Sequence, residues 1–202
     1  MFRAKPYQGA QPENAEFVFV GLDANYDAQI ESSTFFQRVI EYHENGVSFW
    51  HRHEVHHPFL LADYRGDGQL YHRNFARTGF GPEHADRVAF VELLHIPTVG
   101  ESQLMASDLD SAHLDELNGL ILRGARRNVF LSDKVIRVMR ASGHFGWLRK
   151  PIAKQVLPVL HKIGETTIYQ HLHFSNYGAF QARMTLEAAA VAGLRTDPPR
   201  ET

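Results

Sequence analysis

The stretch "EFVFVGLDANYD" (residues 16–27) runs from a glutamate through four consecutive large apolar residues and breaks off at a glycine into a polar turn. Unbroken apolar character, without a polar alternate face, reads as a strand covered on both sides, as in a parallel sheet. Three further short runs are rich in Val, Phe, Ile or Leu and read the same way: "RVAFVELL" (87–94), "NVFLS" (128–132) and "TTIYQHL" (166–172). Helical patterns lie between and after them, over 33–44, 68–79, 107–124, 133–142 and 153–164, with a last helix over 179–193 that Gly193 ends. Strand alternating with helix predicts an α/β fold, a three-layer α/β/α sandwich around a four-stranded parallel sheet. No repeat, low-complexity tract or Gly/Ser linker divides the 202 residues. One domain over 1–202 is therefore expected, with 1–14 and 195–202 as loose termini.

Composition removes several kinds of chemistry. The chain has no cysteine, which excludes disulfides, cysteine-ligated zinc, iron–sulfur clusters and thiol nucleophiles. No apolar run reaches membrane-spanning length, and "MFRAKPYQGAQPENAE" has no signal-like apolar segment. A soluble cytoplasmic protein without a membrane partner is the expectation. The net charge of −2 hides an asymmetry: residues 1–120 carry 8 Lys/Arg against 18 Asp/Glu, whereas 121–163 carry 10 against one acid, Asp133. "RGARRN", "KVIRVMR" and "LRKPIAK" are either solvated helix faces or a polyanion footprint, and composition leaves both open. His51, His53, His56 and His57 match no compact zinc spacing, so they read as a solvated or DNA-facing loop and no metal is expected. Tyr71 and His72 read as helix-surface residues.

In a parallel sheet, ligands bind beyond the carboxyl ends of the strands. The polar segments fall there: "GLDANYD" (21–27), "ELLHIPTVG" (92–100), "SDK" (132–134) and "HFSNYG" (173–178). In this order the blocks resemble the uracil-DNA glycosylase superfamily. Gly21-Leu22-Asp23-Ala24-Asn25-Tyr26 is similar to the family's first motif, and His173-Phe174-Ser175-Asn176-Tyr177-Gly178 to its last. Gly100 stands at the family's glycine, but Glu92 stands where uracil-specific members have asparagine. "HHPFLLADYRGDGQL" (56–70) resembles the segment that stacks a flipped base in the iron–sulfur branch, without that branch's cysteines.

The resemblance implies a monomeric, cofactor-free, monofunctional DNA glycosylase. Asp23 would stabilise positive charge on the sugar and orient water, and His173 would hydrogen-bond the departing base. Ser175 would grip a flanking phosphate beside Asn176, and Tyr177 would wedge into the vacated stack. Phe59 would stack on the base or serve as core, and Gly21 and Asn25 would shape the pocket. Lys134, Arg126, Arg127, Arg149 and Lys150 are the candidate DNA-backbone contacts. No lysine falls within the motif blocks, so a Schiff-base lyase is not implied.

The two departures bear on substrate. As a carboxylate Glu92 offers only acceptors and suits cytosine's exocyclic amine; if protonated it could also donate to cytosine N3. Asn25 replaces the tyrosine that blocks C5 substituents. Together they imply a C5-modified cytosine, and some similar enzymes act in defence against phages carrying such bases. Alternatives are housekeeping excision of uracil or another deaminated base, a silent DNA-binding domain on the same fold, and Glu92 as a structural acid in a salt bridge.

Overall fold

The computed structural model describes residues 5–99 and 103–195, so Gly100 and the tail after Arg195 lie outside the described residues. The chain is a mixed α/β protein built on a six-stranded mixed sheet. Its strands are β1 (Tyr7–Gly9), β2 (Phe17–Gly21), β4 (Val88–Glu92), β6 (Arg127–Ser132), β7 (Val159–Ile163) and β8 (Thr166–His171), in the order β1-β4-β2-β6-β8-β7. A separate parallel pair joins β3 (Asn25–Tyr26) to β5 (Thr98–Val99). The helices are α1 (Phe36–Glu44), α2 (Gly46–His53), α3 (Gln69–Ala76), α4 (Ser111–Leu122), α5 (Asp133–Ser142) and α6 (Gln181–Arg195).

The expected four-stranded parallel sheet is corrected in extent. Strands at the four expected positions run mutually parallel, and β1 and β7 add antiparallel edges. Residues 7–9, expected in a loose terminus, pair with Ala89–Val91 instead. The segment 153–164, expected as a helix, yields β7: Pro158 lacks an N–H and biases its predecessor away from helix, and Gly164, at φ 56°, turns the chain back into β8. Helix α6 runs through Gly193 to Arg195 rather than stopping there. Helix α2 is an addition within the histidine-rich stretch; the Asn45 side chain caps it by accepting from the Ser48 N–H at 2.9 Å, and Phe49 and Trp50 are buried.

Strand alternation divides the core. Val18, Val20, Val129 and Leu131 pack with Leu117 and Ile121 of α4 and Ile136 and Met139 of α5. Phe17, Phe19, Phe90 and Phe130 pack with Trp50 of α2, Phe75 of α3 and Met184 of α6. With a period of two, Gly21 and Glu92 project to the same side as the phenylalanines, at the carboxyl ends of their strands. No helix among the described residues is long and apolar enough to cross a membrane.

Candidate active site

A cavity of about 560 Å³ opens at that end of the sheet, and Gly21, Asp23, Asn25, Phe59, Glu92, Lys134, His173 and Ser175 all line it. Glu92 lines the cavity from the end of β4. It is the register partner of Gly21, and a β-carbon on Gly21 would collide with its carboxyl group, 2.7 Å from Cδ and 2.8 Å from Oε1. With glycine at this position the Glu92 carboxyl group can lie across the neighbouring strand end. Glu92 Oε2 is shielded from solvent and has neither a hydrogen-bond partner nor a salt bridge among the described residues. Burial first, and then the charge of Asp23, push its pKa up to about 8, so near neutrality it holds a proton. The His113 Nε2–H fixes the strand end by donating to the Glu92 carbonyl at 2.7 Å.

Asp23 is braced from the side. Thr98 Oγ1 donates to Asp23 Oδ2, and Asn25 Nδ2 donates to Thr98 Oγ1 at 3.2 Å. Asn25 is exposed at the cavity mouth, engaged with this brace.

The turn after β8 is held through its backbone carbonyls. Asn176 donates through both its N–H and its Nδ2 to the His173 carbonyl, each at 2.9 Å. Asn74 of α3 is buried and donates to the Phe174 carbonyl at 2.6 Å. The Ser175 N–H donates to His173 Nδ1 at 3.3 Å, so the neutral ring carries its proton on Nε2. Desolvation and the nearby Lys134 lower the His173 pKa, with Asp23 pulling the other way. The result is a neutral N–H donor at the mouth. Tyr177 is 73% exposed at the tip of the turn and lines no part of the cavity.

Gln8 and Tyr42 also line the cavity and had no part in the sequence expectations, and Tyr26, His56, His57, Tyr71 and His72, not expected as lining, join them. Tyr71 and His72 are thus corrected from helix surface to cavity lining. The four-histidine loop is also corrected: His51 and His53 lie on α2, facing Asp86 at 3.5 Å and Glu41 at 3.1 Å, whereas His56 and His57 are buried. The His57 and His72 rings stack at 3.5 Å. Among the described residues no group of three or more His, Cys, Asp or Glu is arranged to hold a metal ion. Phe59 is buried in a small apolar cluster, where it stacks on Tyr64 at 4.3 Å, and it also lines the cavity.

The basic residues separate by position. A second cavity of about 440 Å³ adjoins the first, shares Lys134 and His173 with it, and adds Asn176, Lys154 and Arg183. Arg149 and Lys150 are exposed and directly precede the Pro151–Lys154 stretch that lines it. Arg127 is the correction: it is buried at the amino end of β6, donating to the carbonyls of Leu120 at 2.8 Å and Glu13 at 2.9 Å. Its neighbour Arg126 lies at that same far end of the sheet. No protein-family model matches the chain, and no curated protein matches it.

Proposed function

We propose that the protein is a monofunctional DNA glycosylase of the uracil-DNA glycosylase type, a three-layer α/β/α sandwich that hydrolyses the N-glycosidic bond of a flipped base. The cleft carries this reading by gathering Asp23, Glu92 and His173 from three separate strand ends into one cavity. Helices on both faces of the sheet fit the layered architecture.

In this reading the base enters the cavity and its sugar stays at the mouth. As the C1′–N bond lengthens, the electron pair moves onto the base and positive charge grows on the sugar. The Asp23 carboxylate stabilises that charge and aligns a water, whose oxygen bonds to C1′ while its proton leaves by way of Asp23. The His173 Nε2–H donates to the base carbonyl oxygen, where negative charge accumulates; a neutral donor serves this purpose. The Glu92 proton stabilises a departing cytosine at N3. Lys134, with Ser175, Asn176 and the basic second cavity, follows the phosphodiester path, and exposed Tyr177 fills the gap left in the stack.

The preferred substrate is a C5-modified cytosine, consistent with phage defence by a cytoplasmic monomer. A volume of about 560 Å³ is in the range that takes drug-sized ligands, well beyond a bare pyrimidine ring. A second reading, excision of uracil or another deaminated base, draws on the same Glu92 proton, which gives that side chain a donor as well as an acceptor. Oligonucleotides carrying one modified base each, treated with the protein and then alkali, test both. Strand breaks at cytosine derivatives support the first reading, and breaks at uracil alone support the second. No break at any base, under conditions where DNA binds, rejects excision.

A further inference from the structure

Gln8 lines the cavity, yet none of the strand-end motifs gives it a role. It stands opposite Phe90 on the edge strand β1, so its side chain shares the face of Phe90 and Glu92. It is the diagonal neighbour of Glu92, a spacing that long side chains bridge. Its Nε2 donates to His43 Nδ1, and His43 Nε2 donates in turn to Tyr26 Oη at 2.7 Å. Burial pushes the His43 pKa down to about 3, so the ring is neutral, with one accepting and one donating nitrogen. With Nε2 turned to His43 Nδ1, the Gln8 amide keeps Oε1 on its other side. Its Oε1 is buried with no hydrogen-bond partner among the described residues, as is Glu92 Oε2.

Glu92 alone does not choose between pyrimidines. A protonated carboxyl group presents a donor beside an acceptor, matching N3 and the exocyclic amine of a cytosine-type base. Turned over, it matches O4 and N3–H of a uracil-type base equally well. Gln8 Oε1 has only lone pairs to offer. Next to an amine it accepts the second N–H, and next to O4 it opposes another acceptor in a desolvated site, where an unmatched polar atom is costly.

We propose that Gln8 Oε1, oriented by His43 and Tyr26, is the specificity-determining acceptor that admits an amino-bearing pyrimidine edge and rejects an oxo-bearing one. This rests on the base-binding reading of the cavity, and it adds the residue that breaks the tie left by Glu92.

Gln8→Met keeps length and bulk but removes the acceptor. Oligonucleotides with a single cytosine, 5-hydroxymethylcytosine, uracil or 5-hydroxymethyluracil give relative kcat/KM, and titration with cytidine and uridine gives binding without chemistry. Wild-type protein should favour the amino-bearing member of each pair. Gln8→Met should reduce that preference about tenfold, the scale of one matched base-edge contact. Gln8→Glu, which keeps an acceptor, should retain most of it. Because Gln8→Met strands a buried nitrogen of His43, the double variant Gln8→Met/His43→Leu provides a second measurement and should show the same reduction. An unchanged preference in either folded variant overturns the proposal, as does wild-type protein with no amino preference in both assays. Gln8-dependent cytidine preference without release of any base would reject excision while leaving this inference standing.

Discussion

The carboxyl group of Glu92 occupies the space a side chain at Gly21 would need, and the two residues are partners across adjacent parallel strands. Gly21→Ala should therefore push the Glu92 carboxyl group towards the cavity and cost about 1 kcal/mol, the low end for overpacking. Urea unfolding checks this. In a cycle with Glu92→Ala the two changes should be strongly non-additive, the double variant regaining much of the stability. Additive behaviour would mean that Glu92 does not rest on Gly21 in solution.

Glu92 and the buried histidines act on stability in opposite directions as pH changes. The folded state keeps the Glu92 proton up to about pH 8, whereas an unfolded glutamate releases it near 4.5. The stabilisation is complete below 4.5 and is lost as pH rises from there through 8, so Glu92→Gln should flatten the decline between about pH 6.5 and 8, above the histidine range. His43, His72 and His171 are held down to about 3 by burial, and burial also lowers His56 and His57. Their contribution is present above pH 6.5 and falls on acidification, because the unfolded chain takes up protons the folded one excludes. Urea midpoints should drop from pH 7 to pH 5 with a slope of more than one proton. A flat acid limb would show the rings to be solvated.

Asp23→Asn and His173→Ala should each lower single-turnover excision by about a hundredfold or more, the scale for removing a positioned charge or donor. DNA affinity should change little in either. Full activity in one variant would remove that residue from the mechanism.

The two ends of the sheet should behave differently towards DNA. Lys134→Glu with Lys154→Glu should weaken binding and reduce the salt slope, by roughly one unit for each phosphate no longer neutralised. Arg126→Glu, at the amino end of β6, should leave both unchanged. Equal effects from the two ends would place the DNA path elsewhere.

Asn25→Tyr should reject bases with a bulky C5 group while sparing unsubstituted ones, since Asn25 lies at the mouth beside the Asp23 brace. Comparison of cytosine with 5-hydroxymethylcytosine, or of the corresponding uracils, measures this. A uniform decrease on every base would point instead to damage to the brace.

The parts of this arrangement visible in the sequence are those that a parallel sheet enforces. Strands covered on both faces are rich in large apolar residues, so β2, β4, β6 and β8 announce themselves, and Asp23, Glu92 and His173 follow because strand ends converge. Strand β7 escaped because a half-exposed edge of five residues carries no such run. The aromatic and histidine wall escaped for a different reason: Tyr42, His57 and His72 reach the cavity only through the docking of α1, α3 and the segment after α2, which no local pattern encodes. Arg127 had a signal that basic composition obscured. It begins its strand, and the first residue of a parallel strand cannot reach the carboxyl edge.

The short pairing of β3 with β5 has a dynamic consequence. The loops after β2 and β4 are stitched by the N–H of Leu94 to the Leu22 carbonyl at 2.8 Å and the N–H of Thr98 to the Ala24 carbonyl at 2.9 Å, beside the Asn25–Thr98–Asp23 brace. Neither loop can lift without unzipping the other, so their amides should exchange with solvent as one cooperative unit. Asp23, on one loop, and the strand end that presents Glu92, at the root of the other, are then assembled or dismantled together.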